Sequence, residues 1–127
     1  MLIELRTLAH KKQRYDTLGD WFERDGFLQI RASILDNPDY EFLILLHELV
    51  EAWLCRKRGI SEADVDRFDV NYVGDGEPGD DVTAPYHDEH RFATLIEKLM
   101  AAELGIDWLV YERDLDSKTM KWDRPAE

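Results

Sequence analysis

The sequence predicts a small α+β fold, a β-hairpin or short sheet packed on two main helices, and three observations carry that reading. "GDWFERDGFLQIRASIL" places two apolar runs around Asp25-Gly26, a tight-turn pair. "NPDYEFLILLHELVEAWLCRKRG" has both the start and the stop of a helix, and "APYHDEHRFATLIEKLMAAELG" supplies a second. At 127 residues and 44% hydrophobic, the chain is long enough to bury one core, so residues 1–127 read as a single domain.

Taken in order, residues 1 to about 14 read as a short amphipathic segment, with Leu2, Leu5, Leu8 and Ala9 at helical spacing. The hairpin follows. Asn37 then caps the first helix, Pro38 takes its first position, and Asp39 and Glu41 lie in its first turn. Arg56, Lys57 and Arg58 complement the carbonyl end, and Gly59 stops it. Residues 61–83, acidic and rich in Gly and Pro, read as a long loop with a short strand at Phe68 to Val73. Such a loop could serve as a lid hinged at Gly74, Gly76 and Gly79. The second helix runs from about Pro85 to Leu104, capped by Thr83 or Asp81 and closed by Gly105. In the tail, Trp108 and Tyr111 should pack on the core, while residues from about 116 to 127, including Trp122, should fray.

A net charge of -12 argues against binding to a phosphate backbone, because no basic stripe is present to neutralise it. The same charge admits a protein that mimics nucleic acid or docks on a basic partner. The one cysteine, Cys55, allows no intramolecular disulfide and reads as a buried structural thiol. Glu4, Arg6 and His10 interrupt any signal pattern, and the apolar run Phe42 to Leu46 is too short to span a bilayer. A cytoplasmic protein is expected.

The chemistry centres on "LHELVEAWL". His47 and Glu51, four residues apart, project from one helix face together with Leu43, Val50 and Leu54, so they look onto the core or a cleft wall. Glu48 lies about 100° round the helix, at the rim. On the second helix His90, Ala93, Thr94 and Glu97 form one stripe, with His87 a turn earlier. Buried imidazoles and carboxylates without partners would each cost several kcal/mol, so mutual pairing or a metal is expected. The plain alternative is a satisfied polar core or a surface pair. For a metal, the donors suit zinc, with iron or manganese as alternatives. Asp80 and Asp81 could support a ligand histidine from behind. The acidic loop fails the twelve-residue calcium template, and no phosphate-cradling glycine loop or Gly-x-Ser-x-Gly turn occurs.

"LHELVEAWLC", "EPGDD", "APYHDEHRFATLIE", "LGIDWLVY" and the earlier "GDW…DG" together resemble a group of small uncharacterised phage and prophage proteins, over most of the chain. The resemblance implies a phage-related origin, hence the host cytoplasm, and a zincin-like arrangement around an HExxE helix. It implies His47 and Glu51 as metal ligands, Glu48 as general base and His90 as third ligand, with His87 in reserve. Glu51 stands where zincins have a second histidine. Its extra negative charge makes the metal a weaker Lewis acid, so its water would be less acidic and hydrolysis slower.

The function expected is therefore that of a zinc-dependent, peptidase-like hydrolase, with a peptide or protein substrate that could pair with the strand at Phe27 to Ile30. One rival is a non-enzymatic acidic phage protein that covers a basic host surface as a DNA mimic. The other is a structural or redox metal site, although the paired Glu-x-x-His repeats of di-iron bundles are missing.

Overall fold

The computed structural model describes residues 1–119. Three strands, β1 (Leu2–Leu8), β2 (Gly19–Arg24) and β3 (Phe27–Ser33), form one sheet in the order β1-β3-β2. β1 runs parallel to β3, with Leu2 opposite Phe27 and Leu8 opposite Ser33, and β2 runs antiparallel to it. Four helices follow: α1 (Pro38–Lys57), α2 (Glu62–Asn71), α3 (His87–Glu103) and α4 (Trp108–Thr119).

The opening segment is a strand, not the helical segment expected. Its leucines report no buried face: Leu2 is 63% and Leu5 50% exposed on an edge strand. The helical spacing of Leu2, Leu5, Leu8 and Ala9 was a coincidence. Because β1 takes one side of β3 and β2 the other, Phe27 to Ile30 has no free edge for a peptide. The unpaired sheet edges belong to β1 and β2.

The hairpin turns as expected. Asp25 and Gly26 both take left-handed backbone angles, φ 56° and 81°, as the two-residue turn matching strand twist requires. Beyond it, Leu28, Ile30 and Ala32 are fully buried, alternate residues of β3 facing α1. Asn37 Oδ1 caps α1 by accepting from Asp39 N (3.1 Å) and Tyr40 N (3.3 Å). Gly59, at φ 72°, ends it. α1 is covered on one side by the sheet, where Ala52 and Cys55 meet Trp21, Leu28 and Ile30, and on another by α3 and α4, where Leu43 meets Ala101 and Tyr111.

α2 occupies residues Glu62–Asn71 of the expected loop and overruns the strand expected at Phe68 to Val73. Ser61 Oγ accepts from Asp64 N (3.1 Å), and Glu62 and Asp64 favour the positive end of the helix. Only Val65 of this helix is buried, so no apolar stripe advertises it. Polar tethers dock it instead: the Arg14 guanidinium joins Asp20 (2.7 and 2.9 Å) to Asp66 (2.9 and 3.1 Å), and Tyr15 donates to Asp69 (3.0 Å). α3 begins with Tyr86 as its N-terminal cap and no capping side chain. The predicted cap residues are spent on each other, since Asp81 Oδ1 accepts from Thr83 N (2.8 Å) and Thr83 Oγ1 (2.6 Å). Gly105, at φ 71°, closes α3. On α4, Tyr111 is fully buried and meets Tyr40 edge to face, with ring centroids 4.9 Å apart. Residues 120–127, including Trp122 and most of the segment expected to fray, lie outside the described residues. Among the described residues no helix is long and apolar enough to cross a membrane.

Candidate metal centre

α1 and α3 pack side by side and bring His47, Glu51 and His90 to one point, all three buried. His47 Nε2 stands 3.1 Å from Glu51 Oε2, His90 Nδ1 stands 3.0 Å from the same oxygen, and the two nitrogens are 3.2 Å apart. Donor atoms on one tetrahedral zinc ion at about 2.0–2.1 Å stand about 3.3 Å from each other. The observed triangle has nearly that size. A proton or a cation must sit inside it. Without one, the His47 Nε2 lone pair would face a carboxylate oxygen; with both nitrogens protonated, two N–H groups confront each other across 3.2 Å.

The groups behind the triangle set the tautomer. Glu97 Oε1 accepts from His47 Nδ1 at 2.7 Å, which directs Nε2 into the triangle. Tyr111 in turn donates to Glu97 Oε2 at 2.6 Å, and Trp21 Nε1–H donates to Glu51 Oε1 at 3.1 Å. Glu97, read from the sequence as an additional ligand or a supporting partner, stands behind His47 and orients its ring. Tyr111 and Trp21 escaped the sequence reading as members of the site, because an aromatic residue gives no sign of where its polar atom is aimed.

Electrostatics follow from burial and pairing. Burial alone would lower the His90 pKa, but contacts with Glu51 and then Glu77 outweigh it and hold it at about 10. His47 is likewise raised well above the ordinary histidine value: burial works against it, and Glu51 and Glu97 prevail. Burial would raise Glu51, yet hydrogen bonds from His47 and His90 bring it down to about 2. Glu48 goes the other way. Burial and then the Glu51 charge raise it well above the carboxylate range, with His47 opposing.

Glu48 lines the same cleft as His47, Glu51 and His90, a space of about 620 Å³ walled by β2, α1, α2 and the 74–79 loop. It lies against the backbone of β2: a Cβ at Gly19 would meet Glu48 Oε1 at 2.5 Å and Ile44 Cγ2 at 2.7 Å. Gly79, read as a hinge, is instead a close-approach residue, for a Cβ there would stand 2.5 Å from His90 Nδ1.

His87 does not join the triangle. Its Nδ1 bonds the Gly79 carbonyl at 2.9 Å and pins the short 3-10 turn Pro78–Asp80. Asp80 lies on the far side of His90, 3.0 Å from Nε2, with Glu77 3.1 Å from the same nitrogen; the sequence singled out no role for Glu77 within the acidic loop. Asp81 supports no histidine; its carboxylate is engaged with Thr83. Elsewhere Ser33, His10 and Asp16 are linked at 2.8 Å and 2.8 Å like a nucleophile triad. Ser33 is fully buried and its hydroxyl is 3.3 Å from the Thr17 carbonyl, so this network braces the turn before β2. Cys55 is fully buried, and burial raises its thiol pKa, which suits the structural role expected.

No family model matches the chain, and neither a curated protein nor a solved structure does.

Proposed function

We propose that this protein is a metal-dependent hydrolase, zinc first, in which His47 Nε2, Glu51 Oε2 and His90 Nδ1 hold the ion and Glu48 is the general base. One observation carries the reading: three buried donor atoms form a triangle of 3.0–3.2 Å edges, open to a cleft that Glu48 also lines. When bound, a divalent ion at such a site supplies a Lewis acid that makes water acidic near neutral pH. Glu97 and Tyr111 hold His47 in the one tautomer that leaves Nε2 free to ligate. Glu48, with its raised pKa, can hold a proton taken at the cleft and release it to a leaving amine.

The lining favours a peptide or other amide over a phosphate ester. Ten acidic side chains and no Lys or Arg line the cleft among the described residues, so an anionic substrate would be repelled. An extended peptide would lie along β2, which contributes Gly19, Asp20 and Trp21 to the wall. This inward concentration of acids supports a cation-binding cleft more than a DNA mimic, whose charges would spread over an outer face. The zincin-like arrangement and a phage origin belong to the same proposal.

The test is a peptidase and amidase screen of the zinc-loaded, untagged chain beside Glu48→Gln. The expected result is zinc retained in the variant and hydrolysis lowered by roughly 10²–10⁴-fold. An activity equal in both proteins would sink Glu48 as the base. A chain that takes up no zinc would sink the proposal itself.

A further inference from the structure

His90 is used on only one side by the triangle. Its other ring nitrogen, Nε2, is buried, and no hydrogen bond reaches it, although two carboxylate oxygens stand close by. Asp80 Oδ1 is 3.0 Å and Glu77 Oε2 3.1 Å from it, yet neither lies in line with an N–H on that nitrogen. His90 as a whole is 5% exposed, whereas the two acids are 63% and 65% exposed at their side chains. A buried nitrogen with no aligned acceptor and two carboxylate oxygens at 3.0 and 3.1 Å has the donor atoms of a cation site. The three donor atoms lie within 4.8 Å of one another.

The local chain is built to hold this geometry. Glu77 and Asp80 sit at the two ends of the 3-10 turn, joined by Asp80 N to Glu77 O at 3.1 Å. Gly79, between them, lets the backbone lie on the His90 ring, where any Cβ would collide. His87 anchors the turn from α3 through the Gly79 carbonyl. Four residues that the triangle does not use are therefore spent on placing two carboxylates at Nε2.

We propose a second divalent-cation site, formed by Glu77, Asp80 and His90 Nε2, that shares the His90 ring with the inner site. One imidazole nitrogen and two carboxylates suit zinc or manganese, with water completing the shell on the exposed side. With both sites filled the ring gives up both its N–H protons to solvent and bridges as imidazolate. Ions on opposite nitrogens of one ring stand about 6 Å apart at ordinary metal–nitrogen distances. That is beyond the roughly 3.5–4 Å of a two-metal clamp, so the outer ion does not share the substrate. Its role is to lock the 77–80 turn over the inner ligand. The shared-ring part of this inference rests on the inner site proposed above; the outer site does not.

The experiment is metal stoichiometry of the full chain, equilibrated with zinc chloride and freed of excess by gel filtration. It uses the wild type, His47→Ala, and the double variant Glu77→Gln/Asp80→Asn. Circular dichroism confirms that each is folded. Two zinc ions per wild-type chain, falling to one in each variant, support both sites. One ion per chain that survives Glu77→Gln/Asp80→Asn but is lost in His47→Ala overturns the outer site and leaves the inner one. One ion with the reverse pattern supports the outer site and overturns the inner. No bound zinc overturns both. Loading with two copper(II) ions gives an independent readout, since imidazolate-bridged copper ions couple and their electron-spin signal falls below that of two isolated ions. A full, uncoupled signal from two bound copper ions overturns the shared ring.

Discussion

Replacing Gly79 with Ala tests the central geometry without touching a ligand. The backbone there is not left-handed, so alanine brings no conformational strain and its effect is steric. Its Cβ would stand 2.5 Å from His90 Nδ1, where ordinary contact begins at 3.4 Å, an overlap of about 0.9 Å. The ring cannot yield freely, being held by Glu51 and packed edge to face against His47, with ring centroids 4.7 Å apart. Overpacking of this kind costs about 1–3 kcal/mol, read as a lower urea midpoint at unchanged slope. Ligand atoms need placement to about 0.2 Å, so an ångström-scale shift should weaken zinc binding by roughly 10–100-fold in a chelator competition. Gly76→Ala is the control. Gly76 has φ 81° and nothing within 4 Å of its Cβ position, so alanine there should cost about 1–2 kcal/mol with zinc affinity held within a few-fold. If Gly79→Ala melts with the wild type and binds zinc as tightly, the turn does not lie on His90 and the account of both sites fails.

Glu97→Gln should keep the fold but lower zinc affinity by roughly 10–100-fold, because an amide no longer fixes the His47 tautomer; chelator competition would show it, and an unchanged affinity would deny Glu97 that role. Asp69 is raised to about 6, by burial first, against hydrogen bonds from Tyr86 and Tyr15 that oppose the rise. The folded chain therefore keeps a proton that the unfolded chain releases near pH 4, and the stability from that proton is lost as pH rises through about 6. Relative to Asp69→Asn, wild type should lose on the order of 2 kcal/mol between pH 4 and 7 in urea melts, and parallel curves would refute the assignment. Asn37→Ala should lower the unfolding free energy in urea melts by about 1 kcal/mol with zinc binding intact, since it removes only the α1 cap.

What the sequence made legible was whatever is written locally. Asp25-Gly26 and Asn37-Pro38 each state a backbone requirement within two residues, and both appear where they were read. The stripe from His47 to Glu51 and the one from His90 to Glu97 could be read because helical period fixes which residues share a face. β1 was misread because three leucines at helical spacing weigh little against a strand partner 25 residues away, Phe27, that no local pattern names. α2 was missed because it is docked by Arg14 and Tyr15, from outside its own segment, and buries one apolar residue. The same non-locality hid Trp21 and Tyr111, whose polar atoms meet Glu51 and Glu97 only once the tertiary structure exists. Asp80 does come to 3.0 Å from His90 Nε2, while Asp81, the next residue, is engaged with Thr83: adjacent acids on a tight turn point apart, which the sequence does not resolve.

The charge balance of the cluster supports the proposal that it holds a cation. Glu48, Glu51, Glu77, Asp80 and Glu97 surround His47 and His90, so even two imidazolium rings leave five acids facing two cations. The metal-free chain meets this by raising both histidines and Glu48, that is, by holding protons where burial would expel charge. Those protons must stand between like-charged rings 3.2 Å apart, and Nε2 of His90 gains no aligned acceptor for its own. An apolar core of the same volume would avoid every one of these costs. A divalent ion in the triangle would take the place of the two facing N–H protons, leaving the net charge unchanged and removing the ring–ring repulsion. A second at Nε2 would displace one more proton, add one net positive charge beside the two acids and give that nitrogen a partner. The features that make this interior poor as packing are those that make it suitable for metal, which is why zinc should raise the melting temperature and why His47→Ala should abolish most of that rise.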